Sequence, residues 1–197
     1  MRRMARNCFR KRYRTEGLMT KTPVSDALDT IHVGPATAHH FCNLRNVELA
    51  SFETLRAAGA ATGDPAASSD DELQVYLDAG LLLAAFDGTE SPVGYAGGYI
   101  SEGWLHIGEV DVHPEWQRQG IGRRLINALL TEGRTRHLVG ATLTTDRFAP
   151  FNAPFYSSLG FQAIEGDACP ARLKEILAAE VAKGLNPLRR VAMMLMF

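Results

Sequence analysis

Glu109-Val-Asp-Val-His-Pro-Glu-Trp-Gln-Arg-Gln-Gly-Ile-Gly-Arg-Arg-Leu-Ile126 reads as a strand, a tight turn and the first turns of a helix. The strand spans Trp104–Val112 and is closed by His113-Pro114. The helix shows itself by spacing: Ile121, Leu125, Ile126, Leu129 and Leu130 fall on one face, with Arg123, Arg124 and Glu132 opposite. Between them, Gly120 and Gly122 lack a Cβ where a ligand would need to approach the backbone closely. Unpaired N–H groups at the helix start, reinforced by the helix dipole, form an anion site. Arg118, Arg123 and Arg124 add positive charge around it. The ligand this predicts is a pyrophosphate.

Two common pyrophosphate motifs do not fit. The P-loop needs Gly-Lys-Ser/Thr, but Arg123 follows Gly122. The dinucleotide fingerprint needs a third glycine where Leu125 stands.

Outward from this turn, apolar runs and turn signals alternate in a mixed α/β order. A short strand at Thr30–Val33 precedes a helix or broken helix pair over Pro35–Ala58, with apolar Phe41, Leu44, Val47, Leu49 and Phe52. Gly59–Asp71 is an Ala/Gly/Ser-rich loop, and Asp70 or Asp71 caps a helix over Glu72–Ala79. Leu81–Phe86 and Val93–Ile100 form a hairpin around Asp87-Gly88. After the long helix come a strand at Ala141–Thr145, a short helix at Pro154–Leu159 and a strand at Phe161–Ile164. A helix over Pro170–Lys183 and an apolar strand, Val191–Phe197, which offers an edge for a homodimer, end the chain. This pattern predicts one sheet covered by helices.

The bulk properties narrow the function classes. A chain of 197 residues, 46% hydrophobic and 22% charged, suits one soluble globular domain. It contains neither a membrane-spanning apolar stretch nor an apolar secretory segment after its basic start. Cys8, Cys42 and Cys169 match neither a disulfide framework nor a zinc site, which points to a cytoplasmic protein without a metal. Residues 1–18 carry seven basic side chains against Glu16 alone, leaving 14 Lys+Arg against 21 Asp+Glu in the remainder. Residues 1–19 therefore read as a basic extension, and 20–197 as the domain. The extension can bind nucleic acid or target an organelle, but an upstream addition without a fold is the plainer reading. An acidic body favours a cationic small substrate over nucleic acid.

Val112-His-Pro-Glu-Trp-Gln-Arg-Gln-Gly-Ile-Gly-Arg123 resembles the Val-x-Pro-x-x-Gln/Arg-x-x-Gly-x-Gly signature of the GNAT acetyltransferase superfamily. Downstream, Phe155-Tyr-Ser-Ser-Leu-Gly-Phe161 resembles the family's Phe-Tyr-x-x-x-Gly-Phe element. The two motifs and their strands cover roughly residues 81–166. The resemblance implies a mostly antiparallel central sheet, splayed where acetyl-CoA enters and flanked by helices. It implies acetyl-CoA as co-substrate and an amine as acceptor. It assigns pantetheine to the backbone of Val110, Asp111 and Val112. It assigns the phosphates to the N–H groups of Arg118, Gln119, Gly120, Ile121, Gly122 and Arg123.

Amine acetylation needs a neutral amine and a proton for the departing thiolate. An alkylamine of pKa about 10.4 is neutral roughly once in a thousand molecules at pH 7, a deficit of about 4–5 kcal/mol that a base offsets. His106 stands where family members that acetylate histones carry Glu and those that acetylate arylalkylamines carry His. Strict alternation puts His106, Gly108, Val110 and Val112 on one face and Glu109 and Asp111 on the other, so Glu109 serves only if the strand is bulged. A strand histidine satisfied by a backbone partner is the alternative for His106. Tyr156 opens the short helix beside the thioester in this family, so its hydroxyl can protonate the leaving sulfur. It can equally be an aromatic core residue. Asn152 is either a helix N-cap or a hydrogen-bonder to the cofactor. Leu49–Leu55, the 59–71 loop and the segment after Phe161 fall outside the motifs and should set acceptor specificity. Acetylation of a protein N-terminus or lysine, and non-catalytic CoA sensing, remain alternatives to a small-molecule transferase.

Overall fold

The computed structural model describes residues 31–197. Its strands are β1 (His32–Pro35), β2 (Leu82–Phe86), β3 (Pro92–Ser101), β4 (Trp104–Val112), β5 (Gly140–Asp146), β6 (Gln162–Ile164) and β7 (Arg190–Met196). The helices are α1 (Phe41–Ala57), α2 (Asp70–Asp78), α3 (Ile121–Thr135), α4 (Ala153–Ser157) and α5 (Ala171–Ala182). The strands form one seven-stranded sheet in the order β1-β2-β3-β4-β5-β7-β6. All neighbours are antiparallel except β4 and β5. The predicted basic extension lies outside the described residues. Among those described, no helix is long and apolar enough to cross a membrane.

Alternation along β2 explains the layers. Leu83 and Ala85 face a core built on α3, where Ile121, Leu125, Ile126, Leu129 and Leu130 meet Leu105, Ile107 and Leu143. Leu82, Ala84 and Phe86 face a second core with Leu44 and Val47 of α1 and Leu73 of α2. Strand β2 is thus buried on both sides, which is why Leu82–Phe86 reads as a continuous apolar run.

Several local expectations need correction. The buried stripe of α1 is Phe41, Leu44, Val47 and Ser51, while Leu49 is exposed. Helix α2 is capped by Ser69, not by Asp70 or Asp71. The Glu72 N–H donates to Ser69 Oγ at 3.2 Å, and the Ser69 N–H donates to the Glu72 carboxylate at 2.8 Å. This capping box satisfies two donors at once, where an aspartate cap would satisfy one. The last strand is not a free edge: β7 lies between β5 and β6, with Val191 and Met193 in the α3 core. Its apolar sequence is explained by that interior position without a dimer. Among the described residues Cys169 is a buried, free cysteine.

Candidate active site

The site exists because β4 and β5 part company. They pair in parallel only at Leu105↔Ala141 and His106↔Thr142. Beyond that point the backbone of Val110–Val112 has a strand neighbour on the β3 side alone. A cleft of about 660 Å³ fills the opening, lined by β4 and β5, the 117–123 turn, α4 and one face of α1.

Strand β4 is bulged at the cleft. Glu109 is registered with Gly97 but Ile107 with Gly98, so Gly108 is the extra residue. Glycine is needed at this place, since a Cβ on Gly97 or Gly108 would overlap the Tyr76 ring packed over them from α2. The bulge corrects the strict alternation. Leu105, Ile107, Val110 and Val112 lie toward α3. His106 packs on Tyr99, and Asp111 reaches Ser51 of α1, on the opposite side. Glu109 and Asp111 come within 4.8 Å of each other and of Glu48 from α1.

On the α3 side, Gly120 takes φ +81° as the N-cap residue, a left-handed conformation that costs glycine nothing. Arg118 also has positive φ, at +60°. The chain then presents successive N–H groups from Arg118 to Arg123 for which no backbone acceptor exists among the described residues. A Cβ on Gly120 would meet nothing within 4 Å, and one on Gly122 would touch only Phe155 and Val112 at 3.9 Å. The protein does not fill this cradle, so the glycines leave room for a ligand. Gln117 holds the turn against the strand, its Nε2 donating to the Val112 carbonyl at 2.9 Å. Arg118 and Arg123 line the cleft. Arg124 does not: its guanidinium turns away to donate to the Ile31 carbonyl at 2.7 Å.

Opposite the turn, α4 is fixed by the end of β5. Buried Asp146 accepts from the N–H groups of Phe148 and Ala149, each at 2.8 Å, and from Arg189 at 2.6 Å. That anchor sets the 147–152 loop and hence Tyr156, whose ring packs edge-on against Phe161. Tyr156 lines the cleft, and its hydroxyl has no hydrogen-bond partner among the described residues. Burial, then the nearby Glu109 and Asp111, push its pKa up, so the hydroxyl stays protonated. Asn152 occupies the N-cap position of α4, but its side chain makes no capping bond. Asn152 lines the cleft.

The α1 side is acidic. Glu48 accepts from the Ser68 N–H at 2.9 Å and from the Tyr95 hydroxyl at 2.8 Å. Asp111 accepts from Ser51 through one oxygen and shares a side-chain hydrogen bond with Glu109. Burial raises the Glu109 carboxyl well above the usual range, and the charges of Asp111 and Glu48 push the same way. Burial likewise raises Asp111 to about 6, with the Ser51 hydrogen bond pulling it back in part.

A stability prediction follows from Asp111. Its folded value of about 6 lies above the ordinary value of 3.8, so the folded state binds more protons between the two. Stability therefore falls as pH rises through that window, and the cost is fully present above it. Replacing Asp111 with Asn should stabilise the protein by about 1–3 kcal/mol at pH 7.5, with the gain vanishing near pH 4. Thermal melts at the two pH values check this, and a variant less stable at pH 7.5 would contradict it.

His106 sits elsewhere. It is 3% exposed, at the closed end of the wedge, with Nδ1 3.2 Å from Thr142 Oγ1. It is not among the residues lining the cleft. Burial, then the Arg172 charge, lower its pKa to about 4. The structure therefore brings together Glu109, Tyr156, Asn152 and the 118–123 turn, and leaves His106 out. Glu48, Ser51 and Tyr95 were missed from sequence. The signal for Ser51 was a small polar residue four positions after Val47 on an otherwise apolar stripe.

Residues 47–161 match the acetyltransferase (GNAT) family. The chain belongs to that family. It is accordingly an acyltransferase. Solved structures agree on the fold. The PaiA N-acetyltransferase of Thermoplasma acidophilum, in complex with coenzyme A, superposes with a TM-score of 0.65 at 15% identity, over 85% of this chain and 99% of its own. The ribosomal-protein-S18-alanine N-acetyltransferase of Escherichia coli gives 0.58 at 17%, over 84% and 93%. N-acetylglutamate synthase of Neisseria gonorrhoeae, complexed with coenzyme A and N-acetyl-glutamate, gives 0.61 at 15%, over 83% of this chain and 34% of its own.

Proposed function

We propose that this GNAT acyltransferase moves the acetyl group of acetyl-CoA to a primary amine of a small molecule, by direct attack in a ternary complex. The observation that carries the reading is the wedge itself. It is an open strand edge at Val110–Val112, flanked by an anion cradle on one side and by a carboxylate of raised pKa on the other. The neighbours solved with coenzyme A support the donor.

In this reading the strand backbone of Val110, Asp111 and Val112 pairs with the pantetheine amides. The N–H groups of Arg118, Gln119, Gly120, Ile121, Gly122 and Arg123 hold the pyrophosphate, helped by the dipole of α3. The uncommitted amide of Asn152 adds a hydrogen bond to the donor. Acetyl-CoA supplies the activated acyl carbon. Glu109, whose burial raises its affinity for a proton, takes in its ionised form the proton that the amine must lose, directly or through water. His106, expected in that role, is not among the residues that line the cleft. Tyr156 donates its hydroxyl proton toward the sulfur as the C–S bond breaks.

Tyr156 offers a clean test. Phe keeps the ring against Phe161 and removes only the hydroxyl. Turnover should fall by about 10²-fold with acetyl-CoA affinity nearly unchanged. A loss below about threefold in kcat would remove Tyr156 from the chemistry.

A further inference from the structure

A largely buried ion pair closes the end of β5. Asp146 is 1% exposed, and Arg189, just before β7, meets it with two nitrogens. Nε donates to Oδ2 at 2.6 Å and Nη2 to Oδ1 at 3.1 Å. Burial acts to raise the Asp146 carboxyl, but Arg189 and the N–H groups of Ala149 and Phe148 outweigh it and hold the group below its ordinary range. Breaking such a pair leaves an uncompensated buried charge, so its geometry is held firmly. Neither residue lines the cleft.

A continuous run of hydrogen bonds leads from this pair to Tyr156. Asp146 Oδ1 accepts from the Ala149 N–H at 2.8 Å. The Ala149 carbonyl accepts from the Asn152 N–H at 2.9 Å, and the Asn152 carbonyl from the Tyr156 N–H at 2.9 Å. Helix α4 has only five residues, too few to keep its direction by its own hydrogen bonds. Its direction, and with it the Tyr156 hydroxyl, is set by what holds its ends. At the far end the Tyr156 carbonyl accepts from the N–H groups of Leu159 and Phe161, at 2.9 and 3.2 Å. At the near end the run starts at Asp146.

Arg189 reaches a second wall as well. Its Nη2 donates to the Ala58 carbonyl at 3.2 Å, at the end of α1. Ala60 and Ala61, just beyond, line the cleft together with Asn152 and Tyr156. One guanidinium thus ties the segment that carries Tyr156 to the one that opens the 59–69 loop.

We infer that Asp146 and Arg189 are positioning residues for the acyl transfer, and that their pairing holds the Tyr156 hydroxyl where the sulfur departs. This rests on the reading of Tyr156 as the acid and deepens it. The pair moves no proton itself and acts through the 147–156 segment.

The test is a double-mutant cycle in the full chain, with acetyl-CoA, an amine that the wild type acetylates, and thiol release as the rate. Asp146→Asn keeps an oxygen for the Phe148 and Ala149 N–H groups and removes the charge that holds Arg189. Its kcat should fall by about 10- to 100-fold, the scale on which misplacing a group by an ångström is felt. Coenzyme A affinity should stay within about threefold of wild type, since only the transfer step is disturbed. In Tyr156→Phe the hydroxyl is already gone, so adding Asp146→Asn should cost less than about twofold more. Losses that multiply in the double variant would show a general support of the fold and overturn the inference. So would a wild-type kcat in Asp146→Asn beside a slow Tyr156→Phe, and both results leave the acetyltransferase reading intact. A wild-type kcat in Tyr156→Phe would remove the acid and this inference together, and acetylation of no amine at all would overturn the acetyltransferase reading as well. Should Asp146→Asn not fold, Arg189→Met, at the more exposed partner, carries the same cycle with the same expected losses.

Discussion

Replacing Glu109 with Gln should lower kcat for amine acetylation by 10²–10⁴-fold at pH 7, the usual contribution of a general base. Gln preserves the size of the side chain and can still hydrogen-bond, but it cannot take a proton. The defect should shrink as pH rises, because an amine of pKa about 10.4 then loses its proton unaided. Affinity for coenzyme A should change little, since the proposed contacts to the donor are the backbone of 110–112 and the 118–123 turn. His106→Gln is the contrasting variant. His106 lies buried against Thr142 and Tyr99, outside the cleft lining, so its replacement should cost less than about threefold in rate. A large, pH-dependent loss in the histidine variant together with a mild one in Glu109→Gln would reverse the assignment.

Gly122→Val should weaken coenzyme A binding by at least 100-fold while the protein stays folded. In the proposed site the pyrophosphate comes within contact distance of the backbone N–H groups of this turn. A Val side chain would occupy that space. The protein itself has room for the added Cβ, whose nearest atoms would lie at 3.9 Å. Gly122 is a cleaner choice than Gly120, whose φ of +81° would strain any other residue and confuse binding with folding. Calorimetric titration with coenzyme A, beside a thermal melt, separates the two effects. Undiminished affinity in a folded variant would move the phosphate site elsewhere.

Much of the site was legible because it rests on local rules. The 117–123 turn could be read from the two glycines and the apolar stripe that follows, and Trp104–Val112 was bounded correctly by its own alternation and by His113-Pro114. Sequence alone gave the wrong facing of β4 because a bulge depends on a non-local partner. Gly108 is extruded where Tyr76, thirty-two positions earlier, packs over Gly97 and Gly108. That one residue moves Glu109 and Asp111 onto the same side as His106, and brings Glu109 into the cleft. The acidic trio was invisible for the same reason, since Glu48 comes from α1 and the other two from β4. Capping chemistry was misread at α2, although Ser69-x-x-Glu72 is a local pattern, because the two aspartates after it masked the serine. Arg124 looked like part of an anion site on sequence proximity, yet its place on α3 sends it to the Ile31 carbonyl.

The most direct test of amine acetylation in this wedge is a stoichiometry. Purified protein is incubated with acetyl-CoA and a panel of small primary amines, and free thiol is counted against acetylated amine by mass spectrometry. One thiol should appear per acetylated amine, with release dependent on the amine and lost in Glu109→Gln and Gly122→Val. Tight binding of coenzyme A with no amine-dependent thiol release from any member of the panel would contradict it.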